Sequence, residues 1–150
     1  MLNDNAKQLI RDFALGFVAT VDGAGRPCVS PKGTFLVLDD KTVAFADIRS
    51  PGTLANLRVN PALEVNFLDV LKRKGLRLRG TARVVEKGAE FDALLPKWQA
   101  VWPGLAPRIK TLVIISVEAV KPLITPPYDD GATEAEMIAM YKAKFAAMYE

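Results

Sequence analysis

Two stretches alternate apolar and polar residues with a period of two: Leu63-Glu-Val-Asn-Phe-Leu68 and Leu76-Arg-Leu-Arg-Gly-Thr-Ala-Arg-Val84. This is the pattern of strands with one face in a core and the other in water. Phe17–Val21, Cys28–Ser30, Phe35–Leu38, Thr42–Ala46 and Arg108–Val117 are further apolar runs bounded by turn residues, and they read as strands as well. Asp22-Gly-Ala-Gly-Arg-Pro27 is dense turn chemistry, which makes the first two strands a hairpin. Asp39-Asp-Lys41 and Lys74-Gly75 are expected as the next turns. Pro31 has no ladder donor, so the strand around Ser30 to Gly33 is expected to be bulged or to lie at a sheet edge.

Helical spacing appears in four places. Asn5–Phe13 is capped by Asn3 or Asp4 and turns Leu9, Ile10 and Phe13 inward. Ser50-Pro-Gly-Thr53 opens a second helix that stops at Asn60-Pro61. Ala89–Val101 carries Phe91, Leu94, Leu95, Trp98 and Trp102 at helical spacing, with Pro96 expected to split it. Lys121–Gly131 holds Pro122, Pro126 and Pro127 and reads as an extended arm. After it, Thr133-Glu-Ala-Glu136 matches a capping box and begins a helix with Ile138, Tyr141, Phe145 and Met148 in one stripe. The expected fold is mainly β with peripheral helices: six or seven short antiparallel strands in a small barrel, followed by a C-terminal amphipathic helix. Residues 1–125 form the barrel domain in this reading, and residues 126–150 form an arm and helix packed on the barrel or on a partner subunit.

Composition narrows the chemistry. At 150 residues, 50% hydrophobic and 25% charged, the chain has the length and content of one globular domain. No run approaches the ~18 apolar residues of a membrane span. Asn3 and Asp4 beside Met1 do not resemble a secretory signal, and the lone Cys28 suits a reducing cytosol, so a cytoplasmic location is expected. A net charge of +3 is too mild to imply nucleic acid, and neither nucleic acid nor membrane is expected as a partner. There is no histidine. That removes Ser-His-Asp and Cys-His catalysis and histidine-ligated haem or zinc. Chemistry must come from a cofactor or from Lys, Arg, Tyr and carboxylates.

The start of the second helix is the strongest local feature. Ser50 is placed to cap through its hydroxyl, and Pro51 occupies the position whose N–H lacks an intrahelical partner. The donors at Gly52 and Thr53 then point outward at the positive end of the helix dipole, with Arg49 one residue before the cap. An ordinary Ser-Pro helix start and a phosphate-monoester site share this pattern.

The series of the first hairpin, Val29-Ser-Pro-Lys-Gly33, Leu38-Asp-Asp40, Phe45-Ala-Asp47, Ser50-Pro-Gly-Thr53, Asn56-Leu57 and Asn60-Pro61 resembles the pyridoxamine 5′-phosphate oxidase-like superfamily of FMN-binding split barrels. The likeness runs from about Phe17 to Val117, and the short FMN-binding members are most similar. It implies a split barrel, a homodimer with FMN at the interface, and a small-molecule redox substrate. Residue by residue, Ser30, Pro31, Lys32, Gly33 and Thr34 match the strand bordering the isoalloxazine ring, where a bulge at Pro31 would leave backbone groups free. Lys32 is the expected cation near the flavin. Asp47, Ile48 and Arg49 match the segment under the ribityl chain, and Ser50, Gly52 and Thr53 match the phosphate-binding helix start. Relatives often carry a lysine or arginine where Gly52 stands, so Arg49 or a cation from elsewhere must replace that charge.

The same resemblance argues against pyridoxamine-phosphate oxidation itself. That activity relies in the family on a histidine and C-terminal arginines, which this chain lacks. An FMN-dependent oxidoreductase is the expected function; a non-catalytic FMN holder and a deazaflavin-dependent reductase are the alternatives. Two features stay double. Lys72, Arg73, Lys74, Arg77, Arg79 and Arg83 form either a solvated sheet face or a reach toward an anionic ligand. Trp98 and Trp102 are core residues at helical spacing, or, for Trp102, a wall of the flavin site.

Overall fold

The computed structural model describes residues 1–150. Seven strands form one antiparallel sheet: β1 (Gly16–Val21), β2 (Pro27–Lys32), β3 (Leu36–Asp39), β4 (Thr42–Asp47), β5 (Ala62–Asp69), β6 (Lys74–Val85) and β7 (Thr111–Ile124). Their spatial order is β2-β1-β5-β6-β7-β4-β3. Four helices surround it: α1 (Asp4–Phe13), α2 (Pro51–Val59), α3 (Ala89–Val101) and α4 (Glu134–Met148). The fold is mainly β with peripheral helices, and the sheet curls without closing, as a split barrel does.

The apolar runs explain the layering. β4 and the first part of β7, Thr111–Ile115, are nearly continuous hydrophobics because both of their faces are covered. Val43, Phe45, Val113 and Ile115 point into the curl with Val18, Phe35, Val65, Phe67 and Leu78. Ala44, Ala46, Leu112 and Ile114 point out and meet Phe91 and Trp98 of α3. Ile10 of α1 and Leu54 and Leu57 of α2 plug the inner core. Burying each such side chain contributes about 1.5–3 kcal/mol. Gly16 is required at the head of β1, since a Cβ there would lie 2.6 Å from the Phe35 ring and 2.7 Å from Val65.

Several expectations need correction. β2 pairs with β1 without a break from Pro27↔Val21 to Lys32↔Gly16, so there is no bulge at Pro31. The other expected alternative holds: β2 is an edge strand, where a missing donor is tolerated and where the outer backbone groups are already free. Pro96 does not split α3. It is exposed, on the opposite side of the helix from the buried Phe91 and Trp98.

The turn placed at Lys74-Gly75 lies earlier. Lys74 already pairs with Asp69, and Asp69 Oδ1 accepts from the Leu71 and Lys72 amides at 3.0 and 2.9 Å. Arg73 takes the left-handed conformation that completes the turn (φ 57°). β7 also absorbs the start of the expected arm. It runs through Pro122 to Ile124 along β6, because β4 has left its other edge after Ser116 and no donor is needed there. Residues 106–108 form a 3-10 turn rather than the start of β7.

The capping box of α4 forms as expected. The Thr133 hydroxyl accepts from the Glu136 amide at 3.2 Å, and Glu136 accepts from the Thr133 amide at 3.0 Å. The helix stands against the β5–β6 turn. Tyr128 donates its hydroxyl to Lys72 O, Thr125 to Arg73 O, and Arg73 lies 4.5 Å over the Tyr141 ring. Its one buried residue is Met137, outside the expected stripe; Ile138, Tyr141 and Phe145 are half-buried, while Met148 is exposed.

Candidate functional site

The curl of the sheet assembles the site. β2 and β4 are far apart in the strand order, yet residues 32–34 leave β2 and cross to the end of β4. Thr34 makes the junction. Its hydroxyl donates to Ala46 O at 2.9 Å and accepts from Ala46 N–H at 3.0 Å. β3 reaches only to Leu36, opposite Ala44, so a side chain supplies the ladder bonds that a strand would have supplied further on. Trp98 locks the junction from the outer face, donating Nε1–H to Thr34 O at 2.9 Å.

Beside that junction stand two charged groups. Lys32 is 8% exposed and donates Nζ–H to Ser30 Oγ at 2.7 Å. Burial pulls its ammonium below the ordinary lysine range, and the negative Asp47 offsets part of that shift. Asp47 is 3% exposed, and its Oδ1 has no hydrogen-bond partner. A buried carboxylate oxygen left unpaired is costly, so a polar group that meets it would relieve that cost. Pro31 and Gly33 are exposed around the pair, and a Cβ added to Gly33 would meet nothing within 4 Å.

From Asp47 the chain turns into α2. Ile48 is half-buried against the outer cluster, and Arg49 is exposed. Ser50 is the N-cap but its side chain makes no capping bond, which corrects the expected hydroxyl cap. Pro51 holds the first helical position, and the first turn contains no acidic residue. Nothing lies within 4 Å of a Cβ added to Gly52, whereas Thr53 is buried. The helix therefore presents unsatisfied N–H donors with an open approach.

Family comparison fits this geometry. The sequence model of the pyridoxamine 5′-phosphate oxidase family matches residues 2–121. The chain belongs to that family. HupZ of Group A Streptococcus is 33% identical, over 80% of this chain and 92% of HupZ, with a TM-score of 0.70. An FMN-binding protein of Syntrophomonas wolfei shares 16% identity over 81% of this chain and 85% of its own, with a TM-score of 0.66. General stress protein 26 of Bacillus anthracis shares 18% over 78% and 92%, with a TM-score of 0.59. These last two likenesses concern the fold. No curated protein matches the sequence significantly.

Within this member of the pyridoxamine 5′-phosphate oxidase family, the expected site residues fall into three groups. Ser30, Lys32 and Asp47 converge at the lip of the curl, flanked by Pro31 and Gly33. Arg49, Ser50, Gly52 and Thr53 line the turn into α2. Thr34 and Trp102 stand apart: the Thr34 hydroxyl is fully engaged with Ala46, and Trp102 packs in the outer cluster with Ile48, Leu94 and Leu95. The basic hairpin is neutralised in part: Arg77 and Arg79 share Glu64, Arg83 meets Glu90, and Lys72 and Lys74 share Glu134.

Sequence reasoning missed Lys87, Arg108 and Lys110. They join Ile48 and Arg49 around one cleft, at positions that no local motif connects. No group of three or more side chains is arranged to hold a metal ion, and no helix is long and apolar enough to cross a membrane.

Proposed function

We propose that this protein is an FMN-dependent oxidoreductase, acting as a homodimer on a small-molecule substrate. Its support is family membership joined to one feature of the site: buried Lys32 beside the unpartnered Oδ1 of Asp47. The pair offers one cationic donor and one anionic acceptor at the free edge of β2, and a flavin ring presents acceptors and an N–H along one polar edge. The donor set therefore fits the cofactor in chemistry. FMN, when bound, supplies the electron and hydride chemistry.

The chain's own part is to bind and orient. Lys32 would offer positive charge to a reduced flavin held at the lip, and its water-poor setting would strengthen that interaction. Ser30 holds the lysine in position. The open start of α2 would receive a phosphate through the Gly52 and Thr53 donors. Exposed Met140 and Met148 of α4, with Tyr149 just after it, favour a second copy as cover. An exposed free Cys28 is consistent with a reducing, cytoplasmic setting.

The test is direct. Purified protein incubated with FMN and passed through a desalting column should keep the two-banded visible spectrum of oxidised flavin and oxidise NAD(P)H. Retained flavin without turnover would identify a holder of FMN, and retention of a deazaflavin in its place would identify a deazaflavin reductase. Retention of neither would refute the reading.

A further inference from the structure

Eight of the 20 Lys and Arg side chains meet a carboxylate. Those of the β5–β6 hairpin and its neighbours are matched by carboxylates: Arg79 with Glu64 at 2.8 Å, Arg83 with Glu90 at 2.5 Å, Lys74 with Glu134 at 3.2 Å, Arg58 with Glu86 at 2.5 Å. Among the side chains that meet no carboxylate, Arg49, Lys87, Arg108 and Lys110 are gathered in one place. They line a single cleft of about 590 Å³ with Ile48, Pro107 and Ile109, and no acidic residue borders it. None of the four forms an ion pair.

The cleft is held in shape from below. Lys110 donates its backbone N–H to Asp47 O at 2.9 Å, which ties the approach to β7 to the end of β4 just before Arg49. Ala106 and Ile109 are buried and anchor the 3-10 turn that carries Arg108. Lys87 donates Nζ–H to Ile109 O at 3.0 Å and lies 4.4 Å over the Phe91 ring. Its backbone position and one of its donors are fixed, and its other two donors are free. Like charges gathered from three separate segments repel one another, and that repulsion is released when an anion enters. Arg49 of the cleft directly precedes Ser50, the N-cap of α2, a helix whose start has free donors but no cation within its own first turn.

We propose that the cleft bordered by Arg49, Lys87, Arg108 and Lys110 is a seat for a phosphate monoester, supplying the positive charge that the start of α2 lacks. This rests on the FMN reading for the identity of the ligand, and the cofactor's terminal phosphate is the group assigned to it. Arginine at two of the four positions suits bidentate contact with phosphate oxygens.

The experiment compares FMN with riboflavin, which differ only in that phosphate, by quenching of flavin fluorescence. Wild-type protein should prefer FMN. The double variant Arg108→Gln/Lys110→Gln should weaken FMN by about tenfold or more while leaving riboflavin within about twofold. Both side chains are exposed, and an unchanged circular dichroism spectrum and melting temperature establish that the variant is folded. Thr53→Val provides the comparison for the helix start. If the double variant binds FMN as the wild type does, or if FMN and riboflavin bind wild type equally, the phosphate seat is overturned while the flavin reading stands. If neither flavin binds, the flavin reading fails and inorganic phosphate decides the cleft. Broadening of its phosphorus resonance by wild type and not by the double variant upholds an anion seat; equal or absent broadening overturns it.

Discussion

Thr34 offers the sharpest test of how the barrel is held at its split. Its hydroxyl satisfies both backbone groups of Ala46 on the side that β3 does not reach, at 2.9 and 3.0 Å, in a site where Thr34 is 9% exposed. Thr34→Val keeps shape and volume but removes the donor and the acceptor together. Two buried backbone groups then lose their partners at about 1–3 kcal/mol each, so the expected loss is about 2–6 kcal/mol. Thr34→Ser keeps the hydroxyl and loses one methyl, for about 1 kcal/mol. Urea unfolding followed by the fluorescence of Trp98 and Trp102 measures both, with stability read at constant m. The valine variant should lie well below the serine variant. Equal stabilities for the two would refute the claim that the hydroxyl substitutes for a strand. The same comparison separates structure from ligand binding: flavin retention per folded molecule should be alike in the serine variant and the wild type.

Three further outcomes follow from the geometry. Burial makes folded Lys32 hold its proton less tightly than the unfolded chain does, so the unfolded state binds more protons as pH approaches the usual lysine value of 10.5 from below. Stability of the wild type relative to Lys32→Met should therefore rise with pH toward and through that value, and parallel curves would show that Lys32 is solvated. Gly75→Ala places a Cβ 2.0 Å from the Phe67 carbonyl oxygen across the β5–β6 ladder and should cost about 2–3 kcal/mol or more in urea unfolding; a change below about 0.5 kcal/mol would contradict the observed register. Deleting residues 126–150 should convert a dimer to a monomer by light scattering and lower FMN retention with it, whereas an intact chain that is monomeric with FMN bound would refute the interface model.

The local elements of this protein are written in its sequence because each has a short-range cause. Period-two alternation made β5 and the outer part of β6 legible, since a strand with one wet face must alternate. Asn3 and the Thr133–Glu136 box marked where α1 and α4 begin, because a side-chain acceptor there satisfies a helix-start N–H within three residues. The order of these elements also carried the family resemblance, and with it the split barrel.

Tertiary structure decided what depends on neighbours distant in the chain. Whether Pro31 bulges or sits at an edge turns on the absence of a strand outside β2, and Pro122 is allowed in β7 only because β4 stops short beside it. Pro96 stays inside α3 because it lies on the side facing away from the core. The candidate site divides in the same way. Lys32 and the turn from Asp47 to Thr53 stood out by local pattern, but their convergence required the curl that brings residues 32–34 to β4. Lys87, Arg108 and Lys110 gave no signal at all: charge in solution acts through space, and only the fold sets three separate segments around one cleft while matching the hairpin's charges with carboxylates.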